Sequence, residues 1–83
     1  MKPVKRRKFV PLLEKEFFVK FVREGKGSHA LYSSPNGLAV IPYYEELSGM
    51  LVRKILKELD IDYKAFLKAF KSEDSTSPRT SHM

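Results

Sequence analysis

There is no cysteine among the 83 residues, so disulfides, thiolate nucleophiles and Cys-ligated zinc are excluded. The chain fits a reducing compartment, and a cytoplasmic location is the expectation. Tryptophan is absent, and histidine occurs only at His29 and His82. No His, Asp and Glu spacing resembles a metal site, so neither metal nor cofactor is expected. A phosphate-cradling Gly loop and a nucleophile elbow are both missing. No apolar run approaches the ~20 residues that a membrane helix needs. The positive N-terminal stretch has no hydrophobic segment behind it, which argues against a secretory signal.

Positive charge is plentiful. Sixteen Lys and Arg stand against ten Asp and Glu, giving a net charge of +6. Lys2, Lys5, Arg6, Arg7 and Lys8 open the chain, Lys20, Arg23 and Lys26 follow, and Arg53, Lys54, Lys57, Lys64, Lys68 and Lys71 decorate the last third. A solvated surface with a flexible basic arm accounts for this charge without any partner. Attraction to polyphosphate accounts for it equally, through counterion release on phosphate neutralisation. Charge alone does not choose between RNA, DNA and an acidic protein.

A chain this short forms one domain, and such a domain buries only about 60% of its unfolded surface. Residues 1–7 read as a basic, frayed arm. A first helix is predicted over about residues 8–15 with Phe9, Leu12 and Leu13 as its apolar stripe. Pro11 belongs in a first helical turn, so this helix begins late or is short. Phe17, Val19 and Phe21 alternate with Phe18, Lys20 and Val22. This predicts a strand with one packed face. Gly25 and Gly27 mark a turn, residues 29–34 a second strand, and Pro35-Asn36-Gly37 a hairpin whose Asn and Gly tolerate positive φ. Residues 38–41 make a third strand, with Pro42 at its end. Leu51, Val52, Ile55, Leu56 and Leu59 recur with helical period over residues 47–59. Ser48 is the expected N-cap, and Lys54 with Glu58 the expected i,i+4 pair. Asp62 caps a last helix over about residues 63–70. Residues 72–83, rich in Ser and Thr, read as a disordered tail, and His82 within it carries no weight. Helix, three antiparallel strands and two helices predict a two-layer α+β domain over residues 8–71. The helices cover one face and leave the other open to a ligand.

Gly27-Ser28-His29 is the segment with chemical content. It holds one titratable imidazole at the start of a strand, behind the basic residues Arg23 and Lys26. The competing reading is a half-buried structural histidine, since strand alternation puts His29 on the side of Leu31.

An ordered series of residues resembles the HicA, or YcfA-like, family of toxins. It comprises Arg23, Lys26, Gly27-Ser28-His29, Asn36-Gly37, Val40-Ile41-Pro42, Glu46-Leu47, Gly49, Leu51, Arg53, Ile55 and Leu56. The likeness runs from Phe9 to Phe70. It departs at Ala30 and Tyr44, where the family often has histidine, and in the spacing near Gly25 and between Pro42 and Gly49. The resemblance implies a double-stranded-RNA-binding-domain-like (dsRBD-like) fold. It also implies a metal-independent endoribonuclease acting on mRNA, the toxin of a prokaryotic toxin–antitoxin pair, with a HicB-type antitoxin as partner.

Under that reading His29 is the catalytic acid or base. RNA supplies its own 2′-hydroxyl nucleophile, and an imidazole offers both protonation forms near neutrality. Arg23 and Lys26 contact phosphate, Gly27 lets phosphate approach the backbone, and Ser28 binds phosphate or orients the imidazole. Tyr32, Tyr43 and Tyr44 are available to stack on bases or to pack at an edge. Two further readings remain: a non-catalytic RNA-binding module and a protein-interaction domain.

Overall fold

The computed structural model describes residues 2–76. Eight elements run in the order β1 (Val4–Lys5), α1 (Arg6–Glu16), β2 (Lys20–Glu24), β3 (His29–Ser34), β4 (Gly37–Pro42), β5 (Glu46–Leu47), α2 (Gly49–Glu58) and α3 (Tyr63–Thr76). Three helices and a three-stranded antiparallel sheet make a small α+β fold. The sheet is a meander of order β2-β3-β4, and β1 pairs separately with β5.

The expected basic arm is replaced by structure. Val4 is buried and pairs with Leu47, while Lys5 pairs with Glu46. Apolar burial of Val4 outweighs the solubility of its basic neighbours. Helix α1 then begins at Arg6, so Pro11 lies inside it rather than in its first turn. Pro11 sits on the solvent side, where water can satisfy the carbonyl that its missing N–H leaves unpaired. The predicted stripe of Phe9, Leu12 and Leu13 is buried, joined by Val10. Phe18 adopts a left-handed conformation, φ 58°, just past the helix.

Strand β2 starts later than alternation suggested, and all five of its residues are exposed. Val19 is buried, but Phe21 is not. Phe21 pairs with the buried Tyr32 and so keeps the core-side face, but β2 is an edge strand and leaves its ring about half exposed. The register shifts only beyond it, between Phe21 and Arg23.

The β3–β4 hairpin closes from Ser34 to Gly37 across Pro35 and Asn36. Neither Asn36 nor Gly37 has positive φ, so the expected reason for the glycine is wrong. Gly37 is small because the end of α2 lies against it. A Cβ there would clash with the Glu58 carbonyl oxygen and lie 2.8 Å from Leu59 Cα. Ser34 Oγ closes the same corner by donating to the Leu59 carbonyl at 2.6 Å.

Ser48 caps α2 as expected, its side chain accepting from the Leu51 N–H. The helix stops at a left-handed Asp60, with Asp60 N–H donating to Lys57 O and Ile61 N–H to Leu56 O. These two bonds form a Schellman motif. Asp62 caps α3 through the Ala65 N–H at 3.0 Å. Helix α3 runs on through residues 72–76, which the Ser and Thr content had assigned to a disordered tail. Its outer end is tied to α1 by a Lys15–Glu73 ion pair of 3.1 Å. Met1 and the rest of the expected tail, residues 77–83, lie outside the described residues.

The core is apolar throughout. It gathers Phe9 and Leu13 from α1, Ala30 and Tyr32 from β3, Ala39 and Ile41 from β4, Val52, Ile55 and Leu56 from α2, and Phe66 from α3. No helix among the described residues is long and apolar enough to cross a membrane.

Candidate functional site

His29 opens β3, opposite Pro42 at the end of β4. Directly opposed residues of an antiparallel pair share a face, as do residues i and i+2. Arg23 opposes Leu31, and Leu31 opposes Val40. His29, Leu31, Arg23, Val40 and Pro42 therefore lie on one face, and the core residues Ala30, Tyr32, Ala39 and Ile41 on the other. The sequence expectation of His29 beside Leu31 holds, but this face does not seal the ring in the interior.

The loop before β3 fixes the imidazole. Gly25 N–H donates to the His29 carbonyl at 2.9 Å, and the Ser28 carbonyl accepts from the Tyr43 N–H at 2.9 Å. Gly27 has φ 61°, and a Cβ there would meet nothing within 4 Å. Glycine is used at this position for its backbone conformation, in an open setting. His29 Nδ1 lies 3.1 Å from the Lys26 carbonyl oxygen. A carbonyl can only accept, so Nδ1 carries a proton, and in the neutral ring Nε2 holds the lone pair. Lys26 thus orients the imidazole through its backbone. The Ser28 hydroxyl makes no hydrogen bond among the described residues, so of its two expected roles, binding phosphate or orienting the ring, the second falls to the Lys26 carbonyl.

His29 lines a groove of about 470 Å³ with Val40, Pro42, Tyr44, Leu51, Lys54, Ile55 and Glu58. Sheet and helix each supply one wall. The face expected to be open is therefore bounded along β4 by α2. Arg23 and Lys26 are exposed and make no ion pair among the described residues, but neither lines this groove. Lys54 and Glu58, expected to pair with each other, make no ion pair among the described residues, and both line the groove instead. Their i,i+4 spacing signalled a shared helix face, but only the fold brings that face to His29.

Tyr32, Tyr43 and Tyr44 part company. Tyr32 is buried, with its ring 5.7 Å from that of Phe21. Tyr43 is held by Arg6, whose guanidinium sits 4.3 Å above its ring, and donates its hydroxyl to Glu24 at 2.9 Å. The Glu24 hydrogen bond raises the Tyr43 pKa, with burial and the Glu24 charge acting in the same sense. Tyr44 alone lies in the groove, about half exposed.

Arg6 is a structural residue that the sequence placed in a flexible arm. Its Nε donates to the Pro42 carbonyl at 2.8 Å and its Nη2 to the Tyr32 hydroxyl at 3.4 Å. Lys5 faces Glu45 and Glu46 at 3.5 and 3.4 Å. Arg6 and Lys5 are thereby committed within the fold. Among the described residues, no three His, Asp or Glu side chains cluster as metal ligands do. Comparison of the chain with protein-family models, with curated proteins and with solved structures finds no match.

Proposed function

We propose that this chain is a HicA-type toxin, a metal-independent endoribonuclease of dsRBD-like fold that cleaves mRNA in the cytoplasm. The order α1-β2-β3-β4-α2 and the helix-packed side of the sheet support that fold type. One observation carries the chemistry: the His29 ring is fixed at Nδ1 by the Lys26 carbonyl, 3.1 Å away, and lines an open groove. That geometry favours His29 as general base.

In this reading Nε2 takes the proton of a ribose 2′-hydroxyl. The 2′-oxygen bonds to the adjacent phosphorus, and the bond to the 5′-oxygen of the next nucleotide breaks. That oxygen leaves with a proton from water, and the upstream product ends in a 2′,3′-cyclic phosphate. Arg23, on the His29 face, and Lys26, in the preceding loop, supply positive charge for the phosphate. The backbone at Gly27 and Ser28 lies open to it. Positioned acid–base help of this kind contributes about 10²–10⁴ in rate. A HicB-type antitoxin would cover the His29 face and neutralise its charge.

The test offers purified protein an RNA and a DNA of the same sequence, with a chelator present. The expected result is cleavage of RNA alone, with cyclic phosphate at the new ends. Equal cleavage of DNA, which lacks the 2′-hydroxyl, or new ends bearing a 5′-phosphate would overturn the proposed chemistry.

A further inference from the structure

We propose that the groove between β4 and α2 is a nucleobase subsite that selects guanine in an unpaired strand next to the phosphate held at His29. The inference rests on the ribonuclease reading for the substrate class, and on the groove itself for the rest.

Four kinds of side chain meet there. Tyr44 supplies an aromatic face, about half exposed and without a hydrogen bond to any described residue. Val40, Pro42, Leu51 and Ile55 supply apolar cover, Lys54 a cation and Glu58 a carboxylate. A volume of about 470 Å³ falls within the ~300–1,000 Å³ of small-ligand sites. This combination suits a nucleotide: a flat apolar body, an anion at one end and hydrogen-bond donors at the other.

Polarity along the groove follows from the packing. Gly37 abuts the Glu58–Leu59 backbone at the start of β4, whereas His29 pairs with Pro42 at its end. Helix α2 therefore runs antiparallel to β4, with Glu58 toward the start of the strand and His29 and Tyr44 toward its end. Lys54 lies one helical turn before Glu58, about 6 Å nearer the His29 end. A nucleotide seated this way points its phosphate at His29 and Lys54 and its base edge at Glu58. The reverse orientation would bring phosphate against a carboxylate.

Glu58 reads that edge. An ionised carboxylate only accepts hydrogen bonds. Guanine presents two adjacent donors on its Watson–Crick edge, the ring N1–H and the exocyclic amino group, which match two carboxylate oxygens. Uracil presents one ring N–H between two carbonyls, which repel the carboxylate. Unpaired bases are commonly recognised by stacking combined with this kind of edge contact.

The experiment measures binding of uncleavable 2′-O-methyl hexamers, UUGUUU and UUUUUU, to the full chain by fluorescence anisotropy. The guanine hexamer is expected to bind at least about fivefold tighter. Tyr44→Ala and Tyr44→Leu should weaken guanine binding about tenfold, and Tyr44→Phe should preserve it. Glu58→Gln should abolish the guanine preference. Lys54→Gln should weaken both hexamers alike and reduce the salt slope by about 0.7. Unchanged affinity in Tyr44→Ala, or a guanine preference that survives Glu58→Gln, overturns the subsite even if RNA cleavage is intact. Binding as expected without RNA cleavage upholds the subsite and removes the nuclease instead.

Discussion

Arg6 Nε donates to the carbonyl oxygen of Pro42 at 2.8 Å. Pro42 stands across the ladder from His29, so the first residue of α1 anchors the strand end that faces the imidazole. The same guanidinium lies 4.3 Å above the Tyr43 ring and reaches the Tyr32 hydroxyl. A hydrogen bond from a charged donor contributes about 1.5–3 kcal/mol when buried, and a cation–π contact about 0.5–1 kcal/mol at exposed sites. Since the site is half-buried, Arg6→Ala should cost about 1–3 kcal/mol in urea unfolding. Arg6→Lys should restore little, because an ammonium lacks the planar fork. Unchanged stability in Arg6→Ala would show that the clasp is idle.

Gly37 and Gly27 are constrained by different causes, and alanine separates them. At Gly37 the added methyl meets the backbone of Glu58 and Leu59, so helix or hairpin must move. Overpacking of this kind costs about 1–3 kcal/mol. At Gly27 there is open space but a φ of 61°, and the left-handed penalty is about 1–2 kcal/mol. Gly37→Ala should lower Tm by about 4–8 °C for each kcal/mol lost. Replacing Leu59 with alanine in Gly37→Ala should not relieve it, since the clash is with backbone. A Gly37→Ala protein as stable as the parent would refute the close approach.

Tyr43 gives the fold a dependence on alkaline pH. Its hydrogen bond to Glu24 lifts the phenol pKa above the ordinary 10.0. A pKa raised by folding means that the protonated form is the stabilised one. This contribution is fully present below the ordinary value and is lost as pH rises through the folded one. Lys15, raised above 10.5 by its hydrogen bond to Glu73, acts in the same direction. Stability should fall above about pH 10, and Tyr43→Phe should make that fall shallower. Identical slopes for parent and variant would contradict the Tyr43–Glu24 linkage.

Helix caps and the bounds of β3 were legible in the sequence, whereas the φ expected at Asn36 and Gly37, the place of Pro11 in α1 and the Lys54–Glu58 pair were not. Ser48 and Asp62 cap helices because their side chains reach the backbone three residues on. Strand β3 has the predicted bounds, because a glycine turn and a Pro-Asn turn delimit it. Contacts between distant segments were hidden. Two residues, Val4 and Lys5, carry no periodicity, and only Leu47 and Glu46 across the fold make them a strand. Arg6 looked like one more arm cation because Pro42, Tyr32 and Tyr43 lie far along the chain. For the site, His29 and its basic neighbours stood out in one short stretch. The other groove wall did not, since Lys54 and Glu58 look like an ordinary surface pair until α2 is laid against β4.

The most direct test follows RNA cleavage and RNA binding together, in wild type and His29→Ala, with a chelator present. Cleavage by the wild type that drops about 10²–10⁴-fold in the variant, with binding retained, is the predicted result. Equal cleavage by both proteins would contradict it, and salt-sensitive binding with no cleavage by either would leave an RNA-binding module in place of an enzyme.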